Sequence, residues 1–124
     1  AKVREVAMLV VVSGGEVLLE KRPGSGIWGG LWSLPEAPPS ADPVAHAAKS
    51  LGIRAVAAEA LPPFRHAFTH FTLAVTPWLL RTGRKAARAR EPSGSTWLAL
   101  DEVRSAALPA PVKRLLASLA DRGA

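Results

Sequence analysis

The sequence predicts an α+β fold in α/β-type layers: one mixed β-sheet flanked by helices. Three observations carry this. A Val-rich run meets a second apolar run across Ser13-Gly14-Gly15. A mid-chain segment from Phe71 to Thr76 alternates apolar with small or polar residues, the period of a strand. Short amphipathic segments, one between strands and one near the C-terminus, supply covering helices.

Residues 3–12 are nearly all apolar at their C-terminal half, which predicts a central strand covered on both faces. The chain resumes as VLLEKR from Val17, so the Gly-Gly turn closes a hairpin. Residues 22–36 are rich in Gly, Pro and Trp and read as a structured loop, with a short strand at 31–34. Pro38-Pro39-Ser40 breaks the chain. Asp42 then caps a helix whose first turn takes Pro43, and Gly52 stops it. Within it Val44, Ala47, Ala48 and Leu51 fall on one apolar face. Residues 53–61 read as a strand. Residues 64–70 read either as a strand end or as a loop feeding the strand that begins at Phe71. Residues 95–100 predict another strand, and LDEV at 100–103 a helical turn. Pro109-Ala110-Pro111 leads into a last helix over 112–119, with Val112, Leu115, Leu116 and Leu119 on one face. No repeat, heptad or second domain is visible, so residues 1–124 are read as one domain.

At 124 residues and 48% hydrophobic content the chain is long enough to bury a sizeable core. No apolar run approaches the length of a membrane span, and no signal peptide is visible. The absence of cysteine excludes thiolate nucleophiles, disulfides and cysteine-held clusters within the chain. It is compatible with a cytoplasmic setting. Sixteen Lys and Arg against ten Asp and Glu give a net charge of +6, which favours a polyanionic partner. Ala1 stands in place of Met and an ordered run begins almost at once, which predicts a piece of a longer protein.

The stretch RPGSGIWGGLWSLPE, residues 22–36, sets Gly30 and Glu36 with five residues between them. With Gly52-Ile53 closing the following helix, it resembles the signature of the Nudix hydrolases: Gly, five residues, Glu, seven residues, then Arg-Glu-apolar-x-Glu-Glu-x-Gly-apolar. In that family the helical glutamates hold magnesium, a hard ion that needs clustered oxygens. Counted back from Gly52, with one extra residue in the preceding loop, the three expected glutamates fall on Ser50, Lys49 and His46, and the expected Arg on Ala45. Counted forward from Glu36 they fall on Ala45, Ala48 and Lys49. Neither register gives a carboxylate pair, and Lys49 brings a positive charge that repels a cation. No catalytic residue and no metal ligand is therefore assigned. Glu36 is read as a loop anchor.

Three further segments, EKRPGSGIWGGLWSLPE (20–36), FRHAFTHFTL (64–73) and LPAPVKRLL (108–116), occur in collinear order. Together they resemble the C-terminal, MutT-like domains of the MutY family of A/G-specific adenine DNA glycosylases, over nearly the whole chain. The resemblance implies base-excision repair of adenine opposite 8-oxoguanine. The N-glycosidic bond would be hydrolysed by a separate N-terminal domain that carries an iron–sulfur cluster, and no cofactor would belong to this chain. The implied partners are duplex DNA holding the 8-oxoguanine:adenine pair and that catalytic domain. The implied state is a monomer, cytoplasmic and associated with the nucleoid. The family's Phe-Ser/Thr-His lesion-reading turn maps onto Phe68, Thr69 and His70, with Arg65 and His66 beside it.

Residue by residue, plainer readings stand beside these. Phe68 in a period-two run reads as core more readily than as a base-stacking wedge. His66 and His70 have zinc-pair spacing only if the segment were helical, and no third ligand is apparent. The four tryptophans read as packing before they read as a stacking platform. The basic run Arg81, Arg84, Lys85, Arg88 and Arg90 suits phosphate contacts or a solvated hairpin tip. Two other functions remain open: an active pyrophosphohydrolase on oxidised nucleotides, and a protein-docking module.

Overall fold

A computed structural model describes residues 2–83 and 94–123. One mixed sheet is built from β1 (Lys2–Ser13), β2 (Glu16–Lys21), β3 (Trp32–Ser33), β4 (Glu36–Ala37), β5 (Ala58–Ala60), β6 (Phe64–Ala67), β7 (Phe71–Arg81) and β8 (Ser95–Ala99). Its main path runs β3-β2-β1-β7-β5, while β4 pairs with β1, β6 with β7 and β8 with β2. The two long strands, β1 and β7, run parallel in register from Lys2↔Phe71 to Val12↔Arg81. The remaining pairs among the described residues are antiparallel.

The central position of β1 follows from its sequence. Alternate side chains leave a strand on opposite faces, and here both faces are covered. Met8, Val10 and Val12 enter one core cluster with Leu19, Leu73, Val75 and Leu79. Leu9 and Val11 enter a second with Leu18, Ile53 and Leu80. The first cluster is closed by α2 (Ala110–Asp121), through Val112, Leu116 and Leu119, and by a 3-10 turn at Leu100–Ser105. The second is closed by α1 (Pro43–His46) and the π turn that continues it, Ala47–Leu51. The sheet is thus the middle of three layers. Each large side chain buried this way contributes about 1.5–3 kcal/mol.

Asp42 caps α1 as expected, its Oδ1 accepting from the N–H groups of Val44 at 3.0 Å and Ala45 at 3.4 Å. The rest of that helix differs from expectation. It widens into a π turn, whose hydrogen bonds span one residue more than α. Val44, Ala47 and Leu51 still face the second core, but Ala48 is rotated out and exposed. The π turn gives the extra residue in the helix register a place inside the helix, not in the loop before it. Gly52 ends the helix at φ 67°, and Ile53 N–H closes back on Ala47 O at 3.1 Å.

The strand expected over 53–61 shrinks to Ala58–Ala60. Ile53 is committed to the helix end, and the Thr82 hydroxyl donates to Arg54 O at 2.6 Å, holding the chain away from β pairing there. Conversely, β7 runs past Thr76 through Pro77 to Arg81. Pro77 O accepts from Leu61 N–H at 3.0 Å. Carbonyl and amide of one strand residue point the same way, so the missing N–H faces the Leu61-Pro62-Pro63 corner between β5 and β6. No ladder bond is lost there, which lets a proline sit in an interior strand.

Trp28 and Trp32 pack against the first core, and Trp78 and Trp97 against the second. Arg81, at the end of β7, is exposed. Arg84, Lys85, Arg88 and Arg90 lie outside the described residues. No helix among the described residues is long and apolar enough to cross a membrane.

Candidate nucleic-acid interface

The segment that sequence left as strand or loop is both. β6 pairs antiparallel with β7, from Phe64↔Val75 to Ala67↔Thr72. Phe68 N–H then donates to Phe71 O at 2.8 Å and closes the hairpin. Thr69 and His70 form its tip, exposed, and neither side chain bonds to another described residue. The tip thus offers a hydroxyl that can donate and accept, beside an imidazole.

Phe68 turns the other way. It is half-buried against the first core. Its ring stacks on Phe71 at 4.9 Å and 21°, meets the edge of His66 at 4.8 Å, and lies 5.5 Å from Trp28. Such tilted and offset pairs are favourable beyond their buried area. The Arg4 guanidinium also lies over Phe71, 4.2 Å from the ring centroid. Of the two readings of Phe68, the geometry is that of an anchor under the tip.

His66 shares this cluster, 5.7 Å from Trp28. Arg65, one residue earlier, projects from the opposite face and is exposed. Its register partner is Ala74, which in turn pairs with Glu5 of β1. The five residues expected at the interface are therefore split: Thr69 and His70 at the tip, Phe68 and His66 beneath it, Arg65 on the far face. Sequence reasoning missed Arg4. Its place over Phe71 follows from the parallel β1–β7 pairing, which joins segments far apart in the chain and leaves no local periodicity to read.

Beside the aromatic cluster is a cleft of about 500 Å³, lined among others by Arg4, Arg22, Ile27, Glu36 and Phe71. Glu36 forms an ion pair with Arg22 at 3.1 Å, which ties the glycine-rich loop to β4. Glu20 stands near both. Burial first, and then the Glu36 charge, push its carboxyl above the usual range, while Arg22 pulls the other way. A carboxyl raised on folding takes stability away as pH climbs from its unfolded value through its folded one. Glu20→Gln is therefore expected to raise Tm at pH 7. The gain should shrink on acidification and vanish below about pH 4, where the unfolded carboxyl is protonated as well. Thermal melts of the two proteins from pH 3 to 8 check this.

The fold family implies magnesium, and the residues present do not fit it. Lys49 and Ser50 are exposed on the π turn and His46 is half-buried. An ammonium, a hydroxyl and an imidazole make a poor donor set for a hard divalent cation. Glu36 is engaged by Arg22. Among the described residues there is no group of three or more His, Cys, Asp or Glu able to hold a metal.

A three-layer fold with a glycine-rich loop, a following Glu and a capped helix ending in Gly defines the class. The chain belongs to the NUDIX domain family, whose family model matches residues 6–118. Among solved structures it is similar to the C-terminal domain of mouse MUTYH, crystallised in complex with human PCNA. The TM-score there is 0.74 at 24% identity, covering 95% of this chain and 88% of that one. It is also similar to Shewanella oneidensis NrtR complexed with a 27mer DNA, with a TM-score of 0.77 at 16% identity, covering 94% of this chain and 60% of that one. A third is the MutT NUDIX hydrolase from Burkholderia pseudomallei, with a TM-score of 0.65 at 22% identity, covering 94% and 97%. At these identities the likenesses establish the fold.

Proposed function

We propose that this domain recognises 8-oxoguanine opposite adenine in duplex DNA, as the lesion-reading part of a MutY-type adenine DNA glycosylase. The observation that carries the reading is the β6–β7 tip. Thr69 and His70 are exposed at its end while Phe68 anchors it from below. The three collinear sequence segments and the likeness to the mouse MUTYH domain support it.

The chemistry is specific. Guanine presents N7 and O6 as acceptors in the major groove. Oxidation at C8 turns N7 into a donor and adds an acceptor at O8. A hydroxyl can accept from the one and donate to the other, so Thr69 answers the altered pattern. His70 donates to a neighbouring phosphate or braces the tip. The net charge of +6 supports the grip on the backbone. Removal of the adenine, extruded from the stack, belongs to the catalytic domain outside this chain, as does the iron–sulfur cluster. That domain is the second partner of this one.

Thr69→Val keeps the shape of the side chain and removes its hydroxyl. Its expected effect is a fall of about tenfold in the preference for an 8-oxoguanine:adenine duplex over guanine:adenine, matching roughly one lost hydrogen bond. Equilibrium titration of the 124-residue protein with both duplexes measures it. An unchanged preference removes Thr69 from the interface, and the absence of any preference in the unsubstituted protein overturns the proposal.

The Nudix membership keeps pyrophosphohydrolysis as the second reading. The donor set at His46, Lys49 and Ser50 argues against it. Incubation with magnesium and 8-oxo-dGTP is expected to release no pyrophosphate, and turnover would restore the hydrolase reading.

A further inference from the structure

We propose that Trp28 is a positioning residue for the recognition tip. It holds Phe68, and through Phe68 it sets where Thr69 and His70 stand. The proposal rests on the reading of that tip as the lesion contact.

A hairpin tip closed by one backbone hydrogen bond has little of its own to fix its direction. What fixes this one is the ring beneath it. Phe68 is held on three sides, by Phe71, His66 and Trp28. Phe71 is tied to β1 through its register with Lys2, and Phe71 and His66 both belong to the hairpin. Trp28 does not. It comes from the glycine-rich loop and touches both Phe68 and His66. It is therefore the ring in this cluster that reaches the tip from outside the hairpin.

The loop is built to hold that ring. Arg22 N–H donates to Leu31 O at 2.8 Å, Gly30 N–H to Pro23 O at 3.1 Å, and Leu31 N–H to Trp28 O at 3.1 Å. Gly29 lies so close to Gly24 that a Cβ would stand 2.6 Å from its carbonyl oxygen. The Arg22–Glu36 pair fastens the loop base to β4. Trp28 itself has φ 55°, the one non-glycine residue with positive φ among those described. A bulky aromatic in that region is strained, and such conformations persist only where the surroundings over-determine them. Gly26 and Gly30, at φ 93° and 78°, already supply the turns the loop needs. The strained position is occupied by the residue whose side chain reaches the hairpin.

The test compares the unsubstituted protein with Trp28→Ala and Trp28→Phe in two measurements. In the DNA-free protein, amide exchange and 15N relaxation report the order of residues 68–70. With DNA, the two duplex affinities give the lesion preference. Trp28→Ala is expected to disorder residues 68–70, leave β1 and α2 amides unmoved, and reduce the lesion preference about tenfold, a loss near that of one anchoring contact. Trp28→Phe is expected to recover most of both. If Trp28→Ala does not fold, Trp28→Leu keeps the apolar bulk without the ring and takes its place. A role through Phe68 has one further signature: in a Phe68→Leu background, replacing Trp28 should change the preference little. Tip order that survives Trp28→Ala, or additive losses in the double variant, overturns the proposal. If the unsubstituted protein shows no lesion preference, the DNA reading fails, and the relaxation data on free protein still decide whether Trp28 positions the tip.

Discussion

Leu116→Ala is expected to lower the free energy of unfolding by about 2–5 kcal/mol, the range for truncating a large buried aliphatic side chain. Leu116 is wholly buried, in the middle of α2, in the same core cluster as Val10, Val12 and Leu19. Two terms add: the transfer free energy of the removed carbons, and the cavity left because a packed sheet cannot collapse into it. Leu115, one position earlier, is only partly buried at the edge of the same cluster. Its truncation should cost clearly less, since its site can refill with solvent. Urea denaturation of both variants reads the difference. Similar losses would mean that α2 does not sit on the sheet by the face described.

The second large effect is expected at Gly29, although the residue is exposed and touches no core. An added methyl would stand 2.6 Å from Gly24 O, 3.0 Å from Gly24 C and 3.2 Å from Pro23 O, all backbone atoms. No rotamer change relieves that contact, so the loop itself must move. Gly29→Ala is expected to cost about 1–3 kcal/mol, the range for overpacking a tight site. The movement should also disturb the Phe68 contact. Gly24→Ala is the control: a Cβ there meets nothing within 4 Å, and its cost should stay within about 0.5 kcal/mol, as for ordinary surface changes. Urea melts give both values. Equal costs would show that the 22–31 loop is looser than its hydrogen bonds imply.

The parts legible in the sequence were those governed by local chemistry. The β1–β2 turn at Gly14-Gly15, the Asp42 cap, the Gly52 stop and the buried face of α2 all follow from neighbours within a few residues. What escaped depends on partners distant in the chain. The alternation at 71–76 pointed to a strand but not to its parallel pairing with β1, so Arg4 over Phe71 was invisible. The π turn that exposes Ala48 left only an awkward residue count as its trace. The continuation of β7 through Pro77 was not readable, because the corner at 61–63 that faces its missing N–H is a tertiary feature. At the candidate site, the split between the exposed Thr69 and His70 and the half-buried Phe68 was not readable. Period two alone favoured core for Phe68 but did not place it beneath an exposed tip.

The deficit of carboxylates at His46, Lys49 and Ser50 and the exposed pair at the β6–β7 tip are the two observations behind the proposal that this Nudix fold reads a damaged strand. The most direct measurement is a 1H–15N titration of the protein with an 8-oxoguanine:adenine duplex, and with its guanine:adenine counterpart, each in the presence of Mg²⁺. The account predicts lesion-dependent shifts concentrated at residues 64–72, with residues 43–52 unmoved. Identical shifts from the two duplexes, or Mg²⁺-dependent shifts centred on residues 46–50, would contradict it.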